Sequence, residues 1–85
     1  MKVKDFLKLV CAIGTVYNCR VSVTAYTRID DGTTDNAEWM AHRHGDTRIE
    51  DEDGMQELLA EFGDLEVMAI TPGSYDIVLQ AKEAA

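Results

Sequence analysis

Apolar side chains recur at helical intervals in two segments of the chain. The first segment carries five of them: Val3, Phe6, Leu7, Val10 and Ile13. Their intervals of three, one, three and three positions place them on one face of a helix with 3.6 residues per turn. The pattern predicts a first helix over residues 2–13, followed by Gly14, which tolerates the left-handed conformation after a last helical turn.

The same spacing returns in the second half of the chain, at Met55, Leu58, Leu59 and Phe62. Asp53 precedes this run and can cap its first turn, and the acidic residues 50–53 complement the positive end of a helix dipole. Gly63 follows the run and is expected to stop the helix. The pattern therefore predicts a second helix over residues 54–62.

Two other segments alternate between apolar and polar residues, as β-strands do. Residues 19–27 place four small or β-branched side chains on one side: Cys19, Val21, Val23 and Ala25. After an Asp-Gly turn signal at residues 31–32, residues 37–44 form the predicted second strand. We expect Trp39 and Ala41 to face the core, although a shift of one residue would exchange the two faces of this strand.

Two further strands are predicted over residues 65–70 and 75–81. Between them lies Thr71-Pro72-Gly73-Ser74, in which proline presets the second turn position and glycine tolerates a positive φ at the third. The element order αββαββ indicates one α+β domain over residues 1–85, a mostly antiparallel four-stranded sheet with both helices on one face. The predicted core consists of Phe6, Leu7, Val10, Val21, Val23, Trp39, Leu58, Leu59, Phe62, Val67, Ile77 and Leu79.

The length and composition fit a folded protein with a small core. Because the sheet would leave two edges unpaired in a chain of 85 residues, pairing of two copies would stabilise it, and we predict a homodimer. No uninterrupted apolar run reaches the length of a signal peptide or a membrane span, so we expect a cytoplasmic protein without membrane contact. Cys11 and Cys19 lack the spacing of a redox or metal motif, and we expect both thiols to be buried.

Charge is distributed unevenly along the chain. Thirteen of the sixteen carboxylates lie between Asp30 and Glu66, where only Arg43 and Arg48 are basic, so this stretch carries 2 − 13 = −11. The remaining residues carry six basic and three acidic side chains, which gives +3. A dense acidic field attracts cationic surfaces and repels phosphate backbones, so we predict a basic protein partner and no direct contact with nucleic acid.

The candidate partner-binding residues are Asp30, Asp31, Asp35, Glu38, Glu50, Asp51, Glu52, Asp53 and Glu57. An alternative interpretation is that these acids serve only to keep the protein in solution, since charge runs are commonly a solvated face.

Two groups of residues resemble metal sites without completing one. His42, His44 and Asp46 alternate at a strand end, which would place them on one side, but the chain offers no further ligand at a zinc-site spacing. The acidic residues before Gly54 fail the calcium-loop pattern, because neither the first nor the twelfth position then holds a ligand. We expect no metal and no cofactor.

The sequence contains no recognisable arrangement of catalytic residues. Catalysis by paired carboxylates requires one of them to be desolvated so that its pKa rises, and these acids lie among polar residues. A cysteine nucleophile needs an adjacent base, and the two histidines lie far from Cys11 along the chain. We therefore expect a binding protein and no enzymatic activity.

Both ends of the chain resemble a known group of proteins. The start MKVKDFLKLV, the segment D-L-E-V-x-x-I after the acidic helix and the closing Y-D-I-V-L are similar to small proteins of phages and prophages of gut Firmicutes. In size, acidity and α+β organisation the chain is also similar to anti-CRISPR proteins, many of which occupy the basic channel of a CRISPR nuclease as acidic surrogates for nucleic acid. The resemblance implies an anti-defence inhibitor that acts in the cytoplasm of a bacterial host.

The sequence also fits a second class of function, the binding of a small ligand. A homo-oligomeric phage protein, of the sponge or accessory type, could capture a small ligand between its subunits without contacting a nuclease. Its cleft would use four polar and aromatic residues: Tyr17, Arg20, Tyr26 and Arg28. The same residues fit an exposed face of the sheet equally well.

Overall fold

The computed structural model describes residues 1–12, 19–29, 38–73 and 75–83. Its elements in chain order are α1 (Val3–Ala12), β1 (Arg20–Ile29), β2 (Glu38–Arg48), α2 (Glu52–Phe62), β3 (Glu66–Pro72) and β4 (Asp76–Lys82). The predicted order αββαββ and the α+β class are confirmed. The predicted helix end at Ile13 and Gly14, the connection 30–37 and Ser74 of the predicted turn lie outside the described residues.

The four strands form one mixed sheet in the order β2-β1-β4-β3. Each consecutive pair, β1 with β2 and β3 with β4, is antiparallel, as expected for hairpins. The two hairpins meet along β1 and β4, which run parallel, with Val21 opposite Ile77 and Val23 opposite Leu79. The sheet is therefore mostly antiparallel, and its parallel centre is the feature that local patterns did not predict.

One hydrophobic cluster lies between the helices and one face of the sheet. Its buried members are Val3 and Leu7 of α1, Met55, Leu58 and Phe62 of α2, Val21, Val23 and Ala25 of β1, and Leu79 and Ala81 of β4. Since both helices contribute to this single cluster, they cover the same face, as predicted. The opposite face, called here the outer face, carries the alternate residues of each strand.

Of the predicted core residues, Trp39 is the one that the structure places on the outside. Tyr26 pairs with Ala41 and Arg28 with Trp39, so both Ala41 and Trp39 lie on the outer face, and Trp39 is 37% exposed. The cause is a β-bulge. Ala25 pairs with Arg43 and Tyr26 with Ala41, which leaves His42 as an additional residue and reverses the alternation that the sequence pattern assumed.

The start of α2 also differs from the prediction, whereas its end at Phe62 is as predicted. The cap is Asp51, whose Oδ1 accepts a hydrogen bond from the Gly54 backbone N–H at 3.0 Å, so Asp53 lies inside the first turn. Gly63 ends the helix in a right-handed conformation, with φ −58° and ψ −32°. Its N–H donates to the Leu59 carbonyl at 2.9 Å, so the helix stops at this glycine without a left-handed residue.

The segment after α2 holds the start of α1. The backbone N–H groups of Val3 and Lys4, which have no partner inside their own helix, donate to the carbonyls of Leu65 and Gly63 at 2.9 and 3.0 Å. The Val67 N–H donates to the Met1 carbonyl at 2.9 Å. The beginning of the chain is thereby fixed to the α2–β3 connection.

Gly45 of β2 permits the close approach of α2 to the sheet. A Cβ atom at this position would lie 2.6 Å from Cε2 of Phe62 and 3.2 Å from Cδ1 of Leu58. Phe62 is fully buried, so its ring can give way only by displacing the core around it. This contact also explains why β2 continues past the predicted end at His44, since Gly45 and Thr47 belong to the covered face.

We predict that Gly45→Ala lowers the free energy of unfolding by about 1 to 3 kcal/mol, because the added methyl group overpacks the contact with Phe62. Urea unfolding followed by circular dichroism measures the change. Ala41→Ser on the exposed part of the same strand is the matched control and should change stability by less than about 0.5 kcal/mol. Equal stability of Gly45→Ala and the parent would contradict the packing described here.

Candidate functional site

The structure brings five of the nine predicted partner-binding acids together at the start of α2. Glu50, Asp51, Glu52, Asp53 and Glu57 are all exposed. Glu38 is also exposed but lies apart from them at the start of β2. The remaining three, Asp30, Asp31 and Asp35, lie outside the described residues.

Local helix geometry places these acids on the solvent side of α2. Met55 and Leu58 are buried against the sheet, so Asp53 and Glu57, which are four positions apart, share the opposite face. Asp51 caps the helix and Glu52 lies in its first turn, where the helix dipole stabilises negative charge. The surface formed by residues 51–53 and Glu57 is called the acidic surface below.

Most other acids of residues 38–66 are neutralised by basic groups of the protein. Ion pairs join Asp46 to Arg20 at 3.0 Å, Glu50 to Arg48 at 3.5 Å, Glu61 to Arg43 at 3.2 Å, Asp64 to Lys4 at 3.0 Å and Glu66 to the N-terminus at 3.2 Å. Within the described residues, Glu38, Asp51, Glu52, Asp53 and Glu57 form no ion pair. Four of these five belong to the acidic surface, which therefore keeps its full charge.

Arg43 lies under α2 and connects it to the end of β4. Its guanidinium is 5.1 Å from the ring centroid of Phe62 and pairs with Glu61 and with Glu83. His42 Nε2 lies 3.7 Å from a carboxylate oxygen of Glu83. An arginine, two carboxylates, a histidine and an aromatic face thus form a structural cluster, in which the arginine serves packing as well as charge.

The two histidines of the sequence pattern do not share a site. Because of the bulge at His42, that residue is directed to Glu83, while His44 Nδ1 is 3.0 Å from Thr24 Oγ1 on the outer face. Asp46 is paired with Arg20. Among the described residues, no group of three or more His, Cys, Asp and Glu side chains is arranged to hold a metal ion.

The residues considered for a ligand cleft lie on the outer face of β1. Arg20 is paired with Asp46, and the Tyr26 hydroxyl accepts a hydrogen bond from Gln80 Nε2 at 3.5 Å. Arg28 lies on the same face by its register with Trp39. Tyr17 lies outside the described residues, so these residues form part of an open sheet face in the described structure.

A concave site occurs instead between the two helices, where the sequence pattern does not predict one. It encloses about 340 Å³ and is lined by Leu7, Met55 and Leu59, with Lys4, Lys8 and Asp64 along its rim. The sequence offered one signal, because Leu7 belongs to the apolar face of α1, with Lys4 and Lys8 beside it, while Met55 and Leu59 belong to the apolar face of α2. Their juxtaposition depends on how the helices pack. We call this site the helix groove.

The ion pair between Lys4 and Asp64 closes one end of the helix groove. Its hydrogen bond raises the pKa of Lys4 and, with the charges of Lys4 and Lys2, lowers the pKa of Asp64. Both side chains are exposed, so solvent screens the pair and its contribution to stability is small.

Cys19 is buried, as predicted, and the side chain of Cys11 lies outside the described residues. Burial, together with the charge of Asp76, raises the pKa of the Cys19 thiol. The thiol form is therefore favoured at neutral pH, which makes this cysteine a poor nucleophile.

Comparison of the chain with protein-family models, with curated proteins and with solved structures finds no match. The resemblance to phage and anti-CRISPR proteins thus stays a resemblance. Within residues 1–12, 19–29, 38–73 and 75–83, no helix is long and apolar enough to cross a membrane.

We predict that Lys4→Gln raises the pKa of Asp64 toward its ordinary value of 3.8, because the hydrogen bond and the nearby charge are lost. A carboxyl group whose pKa is lower in the folded than in the unfolded protein stabilises the fold at any pH above its unfolded-state pKa. This stabilisation is lost as the pH falls through the folded-state pKa of Asp64. The stability difference between parent and variant should therefore shrink in acid.

Carboxyl ¹³C chemical shifts recorded over an acid titration report this pKa directly. Arg48→Gln on β2, the edge strand on the opposite side of the sheet from β3, removes the same charge away from Asp64 and serves as the control. An unchanged Asp64 pKa in Lys4→Gln would show that the pair does not form in solution.

Proposed function

We propose that this protein is a non-catalytic inhibitor that binds a basic protein surface through its acidic surface. The proposal rests on the difference between acids that form ion pairs within the protein and acids that do not. Elsewhere in the described structure acids are mostly paired internally, whereas Glu52, Asp53 and Glu57 lie together, exposed and without an ion pair. A surface that keeps its charge is available to lysines and arginines of a partner.

The class of partner follows from the chemistry of the surface together with the resemblance of the chain. Nucleic-acid channels are lined by Lys and Arg, and carboxylates can engage the same side chains through charge-assisted hydrogen bonds. Because the acids lie on a helix, the backbone that carries them is ordered before binding, which lowers the entropic cost of forming the complex. The proposed target is the basic channel of a CRISPR nuclease in a bacterial host, with the inhibitor competing against nucleic acid.

The rival interpretation is that the acidic surface only keeps the protein in solution. Both interpretations place the acids outside, and they differ in what neutralising them does. Loss of charge at a binding surface weakens one specific complex, while loss of charge for solubility affects aggregation wherever the charge is removed.

We predict that the triple variant Glu52→Gln, Asp53→Asn and Glu57→Gln loses inhibition by about tenfold or more, because three charge contacts are removed. Asp51 is kept so that the helix retains its cap. The measurement is DNA binding and cleavage by candidate CRISPR nucleases with the protein titrated in. Inhibition by the parent should also weaken as salt is raised from low to physiological concentration.

The matched control removes three charges from acids that are already paired: Asp46→Asn, Glu61→Gln and Glu66→Gln. It has the same net charge as the triple variant and should inhibit nearly as well as the parent. If both variants inhibit equally, or if the parent affects none of the nucleases, the proposed function is wrong.

Self-association is a separate prediction, supported by the two sheet edges. Within the described residues, β2 and β3 each have one neighbouring strand, although Lys2 bridges Glu66 at the start of β3, and β2 offers eleven residues of edge. Pairing of such edges by two-fold symmetry would bury backbone groups that otherwise bond to water. We expect a homodimer, and a monomer mass by light scattering at high micromolar concentration would contradict it.

A further inference from the structure

We propose that the helix groove binds a small amphipathic anion, an apolar molecule that ends in a carboxylate, with Lys8 holding its charge. This goes beyond the proposed function, because the groove uses a surface that the acidic surface does not include. The two sites share α2, but no residue of the acidic surface lines the groove.

The groove results from the antiparallel packing of α1 and α2. Lys4 at the start of α1 pairs with Asp64 after the end of α2, while Lys8, one turn further along α1, lines the groove together with Met55 near the start of α2. The helices therefore run antiparallel. The N-terminal end of α1 is held against the α2–β3 connection by the backbone bonds of Val3 and Lys4, and the groove opens beyond this attachment.

The shape and lining suit an apolar body. Leu7 is almost fully buried and forms the base together with Met55 and Leu59, so the surface of the groove is almost wholly apolar. Its volume of about 340 Å³ falls in the range of roughly 300 to 1,000 Å³ that small-molecule sites occupy. Met55 can also adapt its shape, since its unbranched thioether side chain fills irregular spaces.

The charge at the rim selects the head group. Lys4 is occupied by Asp64, whereas Lys8 forms no ion pair within the described residues. Asp64 is the one acid that lines the groove, and its charge is compensated by Lys4. An incoming carboxylate would therefore meet an uncompensated ammonium, while the stem of Lys8 extends the apolar wall.

The test uses decanoate, kept below the concentration at which it forms micelles, with 1-decanol and decylammonium as neutral and cationic counterparts. Binding is followed by the methyl NMR signals of the methionines. We expect a saturable shift of the Met55 methyl signal with decanoate, while Met40, exposed on β2, serves as an internal reference and stays unchanged. Decylammonium should bind more weakly than decanoate.

Lys8→Gln should weaken decanoate binding by about threefold or more and leave 1-decanol binding unchanged, as expected for the loss of one exposed charge contact. Lys82→Gln is the matched control and should bind decanoate like the parent. The acidic-surface triple variant should also retain decanoate binding, which separates this inference from the proposed function.

Three results would each overturn the inference: a Met55 signal that does not respond to decanoate, decylammonium binding as tightly as decanoate, or full decanoate affinity in Lys8→Gln. The amide spectra of all variants should overlay outside the substituted regions, which shows that a loss of binding is not a loss of folding.

Discussion

The parallel pairing of β1 with β4 is the constraint on which the rest of the structure depends. It joins two antiparallel hairpins that would each be marginal alone and sets Val21 and Val23 beside Leu79 and Ala81 on one face. All four side chains are fully buried. Such a continuous apolar strip needs a cover, and both helices must therefore lie on the same side of the sheet.

The ion pairs follow from that arrangement. Asp46 with Arg20, Arg43 with Glu61 and Asp64 with Lys4 each join different elements of the fold. The acids that lie where elements meet are thus neutralised, and those on the solvent side of α2 are not. An excess of negative charge spread over half of the sequence becomes, within the described residues, a compact surface at the start of one helix.

The helix groove has the same origin. The two helices pack mainly on the sheet that lies beneath both of them. They are joined to each other at one end only, where an ion pair and backbone hydrogen bonds connect the start of α1 to the segment after α2. The remaining space between them is apolar because each helix turns the flank of its apolar face toward the other. A small α+β fold of this kind can therefore carry a polar protein-binding surface and an apolar groove on neighbouring sides of one helix.

The sequence by itself determined the type and order of the elements and most of the buried residues, because periods of 3.6 and 2 are local properties of helices and strands. It could not determine the parallel contact of β1 with β4, because the alternation of apolar and polar residues along a strand does not specify which other strand pairs with it. It also failed at Trp39, because the bulge at His42 arises from pairing with β1 and moves the residues that precede it in β2 to the face opposite the predicted one. Which acids stay free and where a groove opens were decided only by tertiary structure, because both depend on contacts between residues far apart in the chain.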